Sequence, residues 1–138
     1  VFHALYEHRI ALEGMLLKPN MVLSGKDCPK KADTDQVASM TLRCMRRCVP
    51  AAVPGLMFLS GGQGDIEATV NLDAMNRLGG NPWQLSFSFG RALQAPALNA
   101  WGGQAANAGR AQKALHHRAV CNSAARFGNY TEAMETGD

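Results

Sequence analysis

The period of the apolar positions changes several times along this chain, and each change marks an element. Over residues 1–12, Phe2, Leu5 and Tyr6 recur at helical spacing, which predicts the end of a helix. Gly14 breaks that pattern, and the apolar run 15–18 predicts a first strand. Pro19 cannot donate to a strand ladder and disfavours the helical region for Lys18, so the strand should stop at Lys18. Residues 20–32, rich in Gly, Pro, Lys and Asp, predict a loop. Asp33 and Gln36 have capping-box spacing and start a helix. Val37, Met40, Cys44 and Cys48 give it one apolar stripe, and Val49-Pro50 ends it. Residues 56–59 are apolar throughout, as a strand buried on both faces requires, and Ser60-Gly61-Gly62-Gln63-Gly64 stops them. Ile66, Val70, Ala74 and Leu78 predict a helix over 65–78, closed by Gly79-Gly80. Beyond Pro82, Trp83, Leu85, Phe87 and Phe89 alternate with Gln84, Ser86 and Ser88, a third strand that ends at Gly90-Arg91. A short helix over 92–100, a final helix over 108–127 and a polar, frayed tail over 130–138 complete the expectation.

Strands alternating with helices imply parallel strands joined by right-handed crossovers, so the expected class is α/β. Three strands cannot close a barrel, which makes a partial (β/α)8 barrel the expected architecture. The length of 138 residues suits one domain. A hydrophobic content of 46% with 18% charged residues excludes disordered and collagen-like classes. No apolar run has membrane-spanning length and no signal-peptide pattern opens the chain, so no membrane association is expected. The net charge of +3 is small and scattered, which argues against a nucleic-acid partner. The densest basic cluster, Arg43, Arg46 and Arg47, falls in the last turn of a helix, where cations favour the helix dipole. Cys28, Cys44, Cys48 and Cys121 form no C-x-x-C, and without a secretory signal they suggest reduced thiols and an intracellular protein. The histidines, His3, His8, His116 and His117, show no zinc-ligand spacing to a cysteine, so no metal site is expected.

The candidate chemistry sits at the three strand ends, where parallel α/β sheets bind their ligands. Lys18 lies among Leu16, Leu17, Pro19 and Met21. Desolvation disfavours an ammonium, and a neutral amine can attack a carbonyl to form a Schiff base. The plainer alternative is a strand-end lysine that snorkels to water. Ser60, Gly61 and Gly62 suit phosphate, because glycines let backbone N–H groups approach an anion and the following helix would turn its N-terminus toward it. Gly90 and Arg91 add a planar charged fork for the same anion. A turn and a solvated arginine are the ordinary alternatives. Equivalent positions on successive βα units make one shared rim the stronger reading. Leu59-Ser60-Gly61-Gly62-Gln63 also spells the signature loop of cassette ATPases, but that function needs a G-x-x-x-x-G-K-[ST] loop, which the chain does not contain.

Leu16-Leu17-Lys18-Pro19-Asn20-Met21, Leu59-Ser60-Gly61-Gly62-Gln63, Gly90-Arg91-Ala92-Leu93-Gln94 and Ala100-Trp101-Gly102-Gly103, in this order, resemble class I fructose-1,6-bisphosphate aldolase. The resemblance implies roughly the last three βα units and the terminal helices of the barrel, with residues 1–138 as the carboxyl-terminal part of a single barrel domain. It implies that Lys18 forms the imine with the substrate ketone. It implies that Ser60, Gly61, Gly62, Gly90 and Arg91 hold its phosphate, with no metal and no organic cofactor. The implied reaction is reversible cleavage of fructose 1,6-bisphosphate to dihydroxyacetone phosphate and glyceraldehyde 3-phosphate in glycolysis and gluconeogenesis. The implied protein is a homotetramer of the cytoplasm or of a plastid or glycosome-like organelle. The family's acid/base carboxylates lie on strands upstream of Val1, so the segment alone is expected to be inactive. The family's terminal tyrosine has no counterpart before Asp138, and Phe89 stands where many members have Tyr. A non-catalytic role, such as binding cytoskeletal filaments, is the alternative.

Overall fold

The computed structural model describes residues 1–136. Its elements are α1 (Phe2–Glu7), β1 (Leu16–Leu17), α2 (Thr34–Cys48), β2 (Gly55–Phe58), α3 (Asp65–Leu78), β3 (Gln84–Phe87), α4 (Arg91–Trp101) and α5 (Ala108–Arg126), with short 3-10 turns at Leu12–Gly14, Ala105–Asn107 and Glu132–Thr136. The strands form one parallel sheet in the order β1-β2-β3. Leu17 pairs with Leu56, and Leu56 with Leu85. The α/β class is therefore as expected.

One face of the sheet is covered by the helices. Leu56 and Phe58 are fully buried and Leu85 nearly so, alongside Leu42, Leu72 and Met75. Full burial of each such side chain contributes about 1.5–3 kcal/mol. The other face is open, and Leu16 on it is 61% exposed. The predicted alternation of β3 holds, with Trp83, Leu85 and Phe89 buried and Gln84 and Ser88 exposed.

Asp33 caps α2 as its spacing predicts: its carboxylate accepts from Gln36 N–H at 2.8 Å, and Gln36 Oε1 accepts from Asp33 N–H at 3.2 Å. The two apolar stripes drawn from sequence are displaced, however. On α2 the buried positions are Val37, Ala38, Thr41, Leu42 and Met45, while Met40 and Cys48 are exposed. On α3 they are Ala68, Thr69, Asn71, Leu72, Asp73 and Met75, while Ile66 and Leu78 are 45% and 58% exposed. Helix α3 turns Thr69 and Asp73 inward because α5 and the tail supply partners for them, while Asn71 bonds Gln63.

Those partners also correct the expectation of a frayed tail over residues 130–136; positions 137 and 138 lie outside the described residues. Tyr130 is 3% exposed. Its N–H donates to Asp73 Oδ1 at 2.9 Å, and its carbonyl accepts from Arg77 Nη2 at 2.6 Å. Arg118, 2% exposed, reaches Glu135 with both terminal nitrogens, at 2.5 and 2.8 Å. It also donates to Thr69 Oγ1 at 2.7 Å, and the Thr69 hydroxyl donates to Asn122 Oδ1 at 2.6 Å. Burial alone would raise the Glu135 carboxyl, but hydrogen bonds from Arg118 and Tyr130 outweigh it and hold the group below its ordinary value. Burial and the Glu135 charge push the Tyr130 hydroxyl up.

Two consequences are measurable. Glu135→Gln in the protein that carries this chain leaves Arg118 buried without its counter-charge and should cost about 3 kcal/mol in urea unfolding. The folded carboxyl titrates below its unfolded value of 4.5, so the pair contributes fully above that pH and fades as pH falls through the lower folded value. The stability gap between parent and variant should narrow in acid. The sheet also ends on two edges, β1 and β3, so the isolated 138-residue chain should self-associate. Light scattering showing a monodisperse monomer would contradict this.

Candidate functional site

Lys18 follows β1 directly. Leu59 N–H donates to Pro19 O at 3.0 Å, so parallel pairing continues past the strand and sets Lys18 level with Met57 and Ser86. Side chains alternate along a paired strand, which puts Lys18 on the face of Leu16, opposite the buried Leu56 and Phe58. Lys18 is exposed. The expected apolar enclosure of its amine is not found within this chain, and alternation explains why. Leu17 turns to the helix side, Met21 enters the core at 4% exposure, and among the described residues no element covers the open face.

Ser88 N–H donates to Phe58 O at 2.8 Å, extending the second ladder in the same way. Ser60 then stands three residues beyond the level of Lys18, about 10 Å further along at about 3.3 Å per residue. Ser60 is 7% exposed, and its carbonyl accepts from Gln63 N–H at 3.1 Å, which closes a tight turn. Gly62 sits in that turn at φ +83°, and a Cβ on Gly61 would lie 3.0 Å from Leu59 Cδ1. Among the described residues, no backbone carbonyl engages the N–H of Gly61 or Gly62.

The N-terminus of α3, expected to face an anion, carries acids of its own. Gly64 N–H donates to Glu67 Oε2 at 3.1 Å, and Asp65 and Glu67 both occupy the first turn. The helix fills its own N-terminus with carboxylate. Helix α4 is different, because its first turn carries no acid and opens with Arg91, which is exposed. Gly90 O accepts from Leu93 and Gln94 N–H at 3.1 and 3.0 Å.

A cleft of about 630 Å³ lies between the 20–32 loop and the Ser60 turn, lined in part by Asn20, Ser24, Lys26, Lys31, Gly61 and Gly62. Lys31 Nζ donates to Gly25 O and Lys26 O, both at 2.7 Å, and pins this loop. Lys18 and Arg91 lie outside the lining. The sequence reading did not single out Lys26 or Lys31, although the lysine content of a loop just after a strand end was the available signal.

The sequence model of the family described as "Glycolytic: Fructose-bisphosphate aldolase class-I" matches residues 1–138. This chain belongs to the class I fructose-bisphosphate aldolase family. It is 56% identical to a fructose-bisphosphate aldolase of Dictyostelium discoideum, over 99% of this chain and 38% of that protein. It is 51% identical to a fructose-bisphosphate aldolase of Arabidopsis thaliana named as cytosolic, over 99% of this chain and 35% of that protein. Among solved structures, a Plasmodium falciparum fructose-bisphosphate aldolase, crystallised with TRAP and a small-molecule inhibitor, superposes with a TM-score of 0.92 at 52% identity, over 95% of this chain and 38% of that one. The chain thus spans under two-fifths of the length of the curated aldolases it matches.

The Ser60 turn makes a local prediction. Gly62→Ala forces a side chain into the left-handed region and should cost about 1–2 kcal/mol in urea unfolding. Gly64→Ala, at φ −69° with nothing within 4 Å of a new Cβ, should be close to neutral.

Proposed function

We propose that the protein carrying this chain is a Schiff-base lyase that reversibly cleaves fructose 1,6-bisphosphate, and that the chain supplies its imine lysine and a phosphate grip. The observation that carries this reading is the ladder register. It sets Lys18 on the sheet face turned away from the helices, at the same end as Ser60–Gly62 and Gly90–Arg91. In a closed (β/α)8 barrel that face lines the interior. The chain would be the last three βα units and terminal helices of a single barrel domain.

Lys18 attacks the substrate's ketone carbon and loses water to give an imine. Once protonated, the imine draws the electron pair of the adjacent carbon–carbon bond as that bond breaks and a base placed by another strand takes the hydroxyl proton of the leaving carbon, which becomes the aldehyde. An enamine of the triose phosphate remains on Lys18, and the aldehyde half leaves. Protonation of the enamine carbon and hydrolysis then free the lysine. The unengaged N–H groups of Gly61 and Gly62 and the guanidinium of Arg91 bind the phosphate next to the ketone. Acid/base groups placed by other strands would contribute ~10²–10⁴-fold in rate, so this segment alone would be inactive. A homotetramer in the cytoplasm is the proposed setting, supported by the cytosolic Arabidopsis relative. The imine itself supplies the electron sink.

Borohydride reduction of the intact protein with dihydroxyacetone phosphate should leave the adduct on the peptide containing Lys18; an adduct elsewhere overturns the assignment. Arg91→Ala should weaken bisphosphate binding at least ~10-fold, the effect of losing one charge-assisted pair, while sparing imine formation with a non-phosphorylated ketone. Equal losses would make Arg91 merely structural.

A further inference from the structure

Helix α5 and the tail bring together three side chains that the lyase reading does not use. His117 and Cys121 lie one turn apart on α5, and Glu135 comes from the 3-10 turn Glu132–Thr136. His117 Nε2 is 3.8 Å from Cys121 Sγ and 3.7 Å from Glu135 Oε2, and the three donor atoms all fall within 4.8 Å of one another. The sequence suggested no histidine at ligand spacing to a cysteine. Four residues on a helix is such a spacing once a third ligand folds back from the tail.

We propose that His117, Cys121 and Glu135 form a binding site for a zinc-like divalent cation, which clamps the tail to α5.

Distance is the first argument. A tetrahedral zinc ion with bonds of about 2.3 Å to sulfur and about 2.0 Å to nitrogen or oxygen separates neighbouring donors by about 3.3–3.5 Å. The two edges through His117 need to contract by only a few tenths of an ångström. Lone pairs give the second. Glu135 Oε1 accepts from the Tyr130 hydroxyl and from Arg118 Nη2, both at 2.8 Å, and Oε2 accepts from Arg118 Nη1. A carboxylate offers about four acceptor positions, so one remains, on the oxygen nearest His117. Arg118 and Tyr130 thus already orient the carboxylate from behind, as outer-shell partners of metal ligands do.

Access is the third. The Cys121 thiol is fully buried, whereas the His117 side chain is 40% exposed. A cation can enter past the imidazole, with water completing its coordination. A thiolate, an imidazole and one carboxylate oxygen select zinc-like ions over magnesium or calcium. Binding replaces the thiol proton, which leaves to solvent as the S–metal bond forms. The charges balance tolerably: the dication meets one thiolate and one carboxylate, and Arg118 remains paired with that carboxylate.

The test is cobalt(II) titration of the intact protein under reducing conditions, read as a thiolate-to-cobalt charge-transfer band. One equivalent attributable to this site should bind, and the corresponding absorbance should vanish in both Cys121→Ala and His117→Gln. The second variant, at a half-exposed position, guards against a folding failure in the first. Tyr130→Phe, which touches no ligand atom but Glu135, should weaken binding about tenfold. Zinc should displace the cobalt and slow proteolysis of the tail in the parent protein only. Absence of the band, or a band unchanged in Cys121→Ala and His117→Gln, overturns the proposal.

Discussion

Two backbone hydrogen bonds beyond the formal strand ends set the geometry of everything at the rim. Leu59 N–H to Pro19 O and Ser88 N–H to Phe58 O carry the parallel ladders past β1 and β2. Parallel pairing fixes both the level of each residue and the face it takes. A slip of one residue between β1 and β2 would turn Lys18 to the helix side and bring Leu17 onto the open face. Leu56 and Phe58, fully buried against the helices, make that slip expensive, because it would exchange apolar contacts for an ammonium. The core therefore orients the rim.

The same register leaves one sheet face uncovered, with Leu16 largely exposed and Lys18 beside it. That face is coherent as part of a closed barrel and incoherent as a free surface. On the proposed barrel reading, the environment of the Lys18 amine would be a property of the closed barrel, while this chain sets its direction.

Much of the fold could be read from the amino-acid order because the signals were local. The capping box at Asp33 and Gln36, the helix Asp65–Leu78 and the alternation from Trp83 to Phe89 all depend on near neighbours. What misled were stripes of hydrophobicity on helices. On α3 the true inner face includes Thr69 and Asp73, whose partners stand some 50 residues away on α5 and at Tyr130, and Asn71, which bonds Gln63 in the preceding turn. Hydropathy counts such residues as surface, since it cannot see a buried partner. The tail was misjudged for the same reason: its polar residues answer Arg118 and Asp73. Of the candidate site, the glycine turn and the Gly90-Arg91 corner fell where their residue types indicated. At the start of α3 the carboxylate of Glu67 accepts from Gly64 N–H, a local bond the sequence reading did not anticipate.

A crystal structure of the intact protein soaked with dihydroxyacetone phosphate tests the central claim most directly. The account predicts continuous density from Lys18 Nζ to the ketone carbon, with the phosphate against the N–H groups of Gly61 and Gly62 and the guanidinium of Arg91. Density showing the phosphate at another strand end, or Lys18 turned toward the helices, would contradict it.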